Sequence, residues 1–221
     1  MSQKIAIVDY EMGNLRSVQK AFEKIGINAF ITSKPSDLDS ADKIVLPGVG
    51  AFQDAMDELN KKALIDPIIK SIKSGKLFLG ICLGLQLLFD KSFEDGEHDG
   101  LGLISGEVVK FKNNDEFINN NNSGENRLNT KLKIPHMGWN RVCFTRDDIP
   151  IFRNIPDKSY MYFVHSYYIC PKDVNIVIGL TDYGIDFPSV IAKDNIFAMQ
   201  FHPEKSQKTG LDLLKNFGEL K

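Results

Sequence analysis

Cys82 stands between two glycines, in Gly80-Ile-Cys82-Leu-Gly84, where the apolar run Leu77 to Ile81 gives way to apolar residues at helical spacing around Gln86. The run before it is short and β-compatible, and Leu83 to Phe89 reads as a helix, so the thiol is predicted at a sharp strand-to-helix turn. Glycines on both sides remove the side chains that would crowd such a turn, as in the Gly-x-nucleophile-x-Gly elbow of hydrolases. A helix N-terminus behind the sulfur offers a positive dipole end and free N–H groups, which favour a thiolate and can hold an oxyanion. A cysteine in an apolar run is ordinarily core packing. The paired glycines at a strand end make this one a candidate nucleophile.

A nucleophile needs a base, and Phe201-His202-Pro203-Glu204 offers one. Pro203 holds His202 extended and fixes its own φ, so His202 and Glu204, two residues apart, point the same way. A carboxylate beside an imidazole fixes its tautomer and stabilises the imidazolium. Alone, the tripeptide reads equally as a strand end with an exposed acid. Joined to the elbow, it completes a triad of Cys82, His202 and Glu204.

The elements that must position these groups read as α/β. Lys4 to Asp9 is apolar enough to be buried on both faces, and the polar turn Tyr10 to Asn14 follows it. Asn14 caps a helix carrying Leu15, Val18, Phe22 and Ile25, which closes at Gly26. Asn28 to Thr32 and Lys43 to Leu46 are further strands. Phe52 to Leu59 and Leu64 to Ser74 are helices, the second broken near its start by Pro67. This alternation implies a parallel sheet with right-handed crossovers. Pro47-Gly48-Val49-Gly50 ends the third strand and is either an ordinary turn or a run of exposed backbone N–H groups at the ligand-binding edge, the edge that also carries Cys82.

Beyond Phe89 the pattern changes. Lys91 to Gly102 reads as a surface loop with a solvated His98, and Leu103 to Phe111 as an exposed antiparallel strand. Residues 112–133 are asparagine-rich and read as a flexible surface insertion at a hairpin tip within one domain spanning 1–221. Pro135-His136-Met137-Gly138-Trp139-Asn140 is either core and turn or, as its mixture of Trp, Met and His favours, a partner-facing loop. Arg141 to Phe144 is a strand with Cys143 packed. Tyr160 to Cys170 is one aromatic strand, in which His165 is structural or functional. Ile176 to Thr181, Ser189 to Lys193 and Ile196 to Gln200 are strands, the last two joined by an Asp194-Asn195 hairpin turn. Gln207 to Leu220 is an amphipathic helix.

Composition narrows the class. There are 27 basic and 29 acidic residues, scattered, for a formal net charge of −2, and nothing tracks a phosphate backbone, so nucleic acid is not an expected partner. No signal peptide is legible, and the longest apolar run is too short to span a bilayer. Three widely spaced cysteines, with no metal-ligand spacing, fit the reduced cytoplasm.

Gly80-Ile-Cys82-Leu-Gly84-Leu-Gln86, Pro47-Gly-Val-Gly50 and Phe201-His202-Pro203-Glu204-Lys-Ser together resemble the signature elements of class I (triad) glutamine amidotransferases. Asp9-Tyr10 through Gly13-Asn14-Leu15, Pro135 to Asn140 and His165-Ser-Tyr167 narrow the resemblance to the glutaminase subunits of imidazole glycerol phosphate synthases. It covers nearly the whole chain. It implies an open, mixed, largely parallel sheet flanked by helices, with an antiparallel extension. Cys82 would attack the side-chain amide of L-glutamine; His202, held by Glu204, would take the thiol proton and deliver one to departing ammonia, and water would hydrolyse the glutamyl thioester. The resemblance puts the oxyanion hole at the N–H groups of Leu83 and of Gly48, Val49 and Gly50, and substrate contacts at Gln86, Ser166 and Tyr167. It puts His136, Met137, Trp139 and Asn140 at the interface with a (βα)8-barrel synthase subunit that receives the ammonia for histidine biosynthesis. No cofactor or metal is implied.

Two departures bear on the partner: Glu11 stands where many relatives have glycine, and the asparagine-rich insertion is longer than usual. They keep open a paralogous subunit that feeds ammonia to amidation of a surface-polysaccharide sugar. Readings of other classes are a non-catalytic regulatory or assembly subunit, against which the complete triad speaks, and a cysteine hydrolase acting alone on another amide.

Overall fold

The computed structural model describes residues 3–111, 132–146 and 148–221. In chain order the elements are β1 (Ile5–Val8), α1 (Leu15–Lys24), β2 (Ala29–Thr32), α2 (Pro35–Ser40), β3 (Lys43–Gly48), α3 (Phe52–Lys61), α4 (Ile65–Lys73), β4 (Leu77–Cys82) and α5 (Leu83–Gln86). There follow β5 (Phe89–Ser92), β6 (His98–Asp99), β7 (Ile104–Lys110), β8 (His136–Phe144), β9 (Ser159–His165) and β10 (Tyr167–Pro171). The chain closes with β11 (Val177–Asp182), β12 (Asp186–Lys193), β13 (Ile196–Met199) and α6 (Gln207–Glu219).

A nine-stranded sheet runs β2-β1-β3-β4-β13-β12-β11-β8-β9, parallel from β2 to β13 and antiparallel beyond. The parallel half and its antiparallel extension are as expected. The alternating side chains of β1 explain the layering: Ile5 and Ile7 pack with Val18 and Phe22 of α1 and Leu213, Leu214 and Phe217 of α6. Ala6 and Val8 pack on the other face with Leu59 of α3 and Ile68 and Ile72 of α4. Asn14 caps α1 as expected, its Oδ1 accepting from the Ser17 N–H at 3.4 Å. Pro67 does not break α4. It sits in the first turn, where a missing N–H costs nothing. Among the described residues no helix is long and apolar enough to cross a membrane.

Several sequence expectations are corrected. The helix after Cys82 is a single turn, because the carbonyls of Leu87 and Leu88 are taken by the N–H groups of Leu101, Leu103 and Ile104, which draws Phe89 into β5. An apolar run buried on all sides does not reveal that break by periodicity. Accordingly Lys91 to Gly102 is no plain loop; it contributes β5 and β6 to a second sheet, β10-β7-β5-β6. Tyr160 to Cys170 is two strands, since the chain leaves the large sheet at Ser166 and enters the small one, with β9 paired to β8 and β10 to β7. The expected interface loop is the first half of β8, and Cys143, near the strand's end, is exposed rather than packed. The flexible insertion falls outside the described residues except for 132 and 133, and the strands on either side of it, β7 and β8, lie in different sheets instead of forming a hairpin.

Candidate active site

Parallel pairing of β3 with β4 sets Gly48 opposite Cys82, so both chain turns open at the same sheet edge. Cys82 has φ 55 and ψ −110. A non-glycine residue there costs about 1–3 kcal/mol, strain that persists only where surrounding packing enforces it. The enforcement is visible at Gly84, where an added Cβ would fall 1.8 Å from the Leu46 carbonyl oxygen of β3. Close contact between the two turns therefore projects the sulfur from the elbow. With α5 only one turn long, the helix dipole contributes little, and backbone N–H groups remain as the anion-binding feature.

His202 is held by its backbone. Its N–H donates to the Tyr162 carbonyl of β9 at 2.9 Å, and Ser206 Oγ donates to the His202 carbonyl at 2.7 Å while accepting from the Tyr162 N–H at 3.0 Å. The imidazole Nδ1–H donates to Glu204 Oε1 at 2.8 Å, and both side chains are almost fully buried. Burial disfavours the charged ring, but Cys82 and Glu204 together outweigh it and push His202 up to about 10. Nε2 makes no hydrogen bond and is left for the thiol proton. Cys82, at the end of β4, and the His202–Glu204 pair, in the turn after β13, are thus brought to one place.

A cleft of about 230 Å³ opens over the sulfur. Val49, Gly50, Leu83, Gln86, Ser166 and Tyr167 line it. Gln86 is 5% exposed, and its Nε2 donates to the Tyr167 carbonyl at 3.1 Å and to Gln200 Oε1 at 3.0 Å. Glu94, just beyond β5, also lines the cleft. Its Oε2 accepts from the Phe52 N–H at the start of α3, and burial raises its carboxyl above the usual range. Nothing in the spacing of Glu94 or Gln200 marks them; only the folding of β5 and β13 around Cys82 does.

His165 lines the cleft and is also one end of a buried hydrogen-bonded chain. Its Nδ1 faces the Tyr167 carbonyl at 2.8 Å and so carries the proton, leaving Nε2 to accept from His136 Nδ1 at 2.9 Å. His136 Nε2 accepts in turn from Asn140 Nδ2 at 3.2 Å. His136 therefore points inward, 3% exposed, while Met137 and Trp139 point outward at 63% and 46%. Of the four residues expected at a partner surface, His136 does not face one. Burial drives His136 down to about 4 and His165 to about 3. In the unfolded chain both titrate near 6.5, so the unfolded state binds more protons between those values, and stability falls as pH drops below about 6.5. Between pH 7 and 5 each histidine is expected to remove up to about 2 kcal/mol. Chemical denaturation of wild type and His136→Asn over this window measures it; equal pH slopes would contradict it.

Glu11 occupies φ 69, a region that favours glycine, and its carboxylate pairs with Lys62 at 2.8 Å on the surface. Among the described residues no group of three or more His, Cys, Asp or Glu side chains is arranged to hold a metal ion.

Comparison with known proteins agrees with this geometry. The family model described as glutamine amidotransferase class-I matches residues 6–219. The chain is 50% identical over 216 residues to the imidazole glycerol phosphate synthase subunit HisH of Syntrophotalea carbinolica, covering 98% of this chain and 100% of that protein. It is 49% identical over 218 residues to the same-named subunit of Geobacter sulfurreducens, covering 99% of each. Among solved structures, a chain of PurLQS from Thermotoga maritima superposes with TM-score 0.72 at 19% identity, over 98% of both chains. A glutamine amidotransferase from the same organism superposes with TM-score 0.65 at 16% identity, over 100% of both chains, and at these identities the likeness speaks for the fold.

Proposed function

The chain belongs to the class-I glutamine amidotransferases, and from that premise we propose that it is the glutaminase subunit of an imidazole glycerol phosphate synthase, releasing ammonia from L-glutamine for histidine biosynthesis. The observation that carries the reading is the strained Cys82 elbow facing a cleft, backed by the 2.8 Å His202–Glu204 pair.

The chemistry follows from these groups. The proton of Cys82 passes to His202 Nε2, and the sulfur attacks the amide carbon of glutamine. Negative charge develops on the carbonyl oxygen, and we assign its stabilisation to the N–H groups of Leu83 and of Gly48, Val49 and Gly50. Support for that assignment is that Gly48 pairs with Cys82 in the sheet and that the other three line the cleft. His202 then protonates the departing ammonia, and water resolves the thioester with His202 as base. Glu204 holds the ring tautomer throughout. In the substrate subsite, the Glu94 carboxylate is suited to the α-ammonium of glutamine. Gln86 has both donors committed and offers its Oε1, with Ser166 and Tyr167 beside it.

The ammonia recipient in this proposal is a (βα)8-barrel synthase subunit, met through the exposed side chains of Met137 and Trp139 on β8, with Asn140 behind them. The whole chain works as one amidotransferase domain, in the cytoplasm. The test is glutamate release by the purified chain, alone and with the barrel subunit of imidazole glycerol phosphate synthase plus its ribonucleotide ligand. Stimulation of at least tenfold by the pair is expected. Glutamate release indifferent to that subunit would overturn the pathway assignment and turn attention to the sugar-amidating synthase, while no release under any condition would overturn the glutaminase.

A further inference from the structure

Gln200 is fully buried at the end of β13, the strand beside β4, and the triad makes no use of it. Its Nε2 lies 3.7 Å from Cys82 Sγ, within hydrogen-bonding range of a sulfur. Its Oε1 accepts from Gln86 Nε2, the nitrogen that also donates to the Tyr167 carbonyl. These contacts fix both amides. Gln86 must turn its nitrogen toward two acceptors, so the Gln200 oxygen faces Gln86 and the Gln200 nitrogen faces the sulfur. Besides His202, Sγ has the Val164 carbonyl as a polar neighbour, 3.8 Å away, which can hold a neutral S–H but repels a thiolate.

We propose that Gln200 is a further catalytic residue of the glutamine-hydrolysing site, donating an N–H to the Cys82 thiolate, with Gln86 as the positioning residue that keeps the donor aimed. The proposal rests on the reading of Cys82 as nucleophile. An amide suits this place because it donates without being able to take the thiol proton, so it favours the charged sulfur and leaves proton transfer to His202. A hydrocarbon of the same size would fill the space equally well and give the sulfur no donor. Gln86 thereby serves two ends, aligning Gln200 with its nitrogen and facing the cleft with its oxygen.

The experiment is the pH profile of Cys82 alkylation by iodoacetamide, in a background where the exposed Cys143 and Cys170 are replaced by serine. Gln200→Glu keeps the acceptor for Gln86 and puts a carboxylate where the donor was. Gln200→Met keeps the volume and removes the donor without adding charge. The midpoint of alkylation is expected to rise by about one to two pH units in Gln200→Glu and by about one in Gln200→Met, the range implied by loss of one hydrogen bond to a charged group. Glutamine kcat should fall at least tenfold in both. Thermal melts select the folded variants, and if Gln200→Glu fails to fold then Gln200→Met carries the test. An unchanged midpoint in the folded variant would overturn the proposal. Alkylation is read without glutamine, so failure of the glutaminase reading itself would appear separately, as a wild-type protein that releases no glutamate.

Discussion

Cys82→Ser is expected to lower glutamine-dependent synthesis by the assembled synthase by roughly 10⁴-fold or more while leaving synthesis from added ammonium salts near the wild-type rate. The size follows from losing the nucleophile of a coupled triad, where one deletion removes nearly all of the covalent pathway. Serine preserves the elbow's shape, but its hydroxyl ionises far less readily than a thiol, and His202, already drawn to about 10 by Cys82 and Glu204, is tuned to a partner that shares negative charge with it. Ammonium bypasses this chain, because its only contribution to the second reaction is ammonia. Steady-state assays with the two nitrogen sources measure the split. Equal loss in both would mean that Cys82 supports assembly rather than chemistry.

Gly84→Ala carries the largest expected effect on folding. Its Cβ would lie 1.8 Å from the Leu46 carbonyl oxygen and 2.9 Å from the carbonyl carbon, backbone atoms of a central strand that cannot move without breaking the pairing with β1 and β4. Destabilisation of roughly 4 kcal/mol or more is expected, at the extreme of what single substitutions do. Gly75→Ala is the control. Gly75, unlike Gly84, has positive φ, at 88, and nothing lies within 4 Å of the added carbon, so a conformational cost of about 1–2 kcal/mol is the whole expected loss there. Urea denaturation of the two variants gives the comparison, and similar losses in both would remove the close approach of β3 as the cause of the elbow.

What could be read from the chain before folding was what local covalent geometry dictates. The glycines around Cys82 and the proline between His202 and Glu204 act over two or three residues, so the elbow and the base pair were legible, and so were the apolar strands between them. The rest of the site is built over long separations. Gln86 and Gln200 are 114 residues apart, and His136 and His165 are 29 apart, and their meeting depends on sheet order rather than spacing. The strand break at Ser166 was hidden for another reason: a continuous aromatic run carries no mark of the point where one strand ends in the large sheet and the next begins in the small one. Strand alternation explains β8. Once Pro135 to Asn140 is extended, His136 must turn inward if Met137 and Trp139 turn outward.

The most direct test of the account is to quench wild-type protein with acid during glutamine turnover and examine the peptide containing Cys82 by mass spectrometry. A glutamyl adduct on Cys82 that disappears when glutamine is exhausted, and that never forms in His202→Asn, is the predicted result. Glutamate release with no adduct on Cys82, or with an adduct on Cys143 or Cys170, would contradict it.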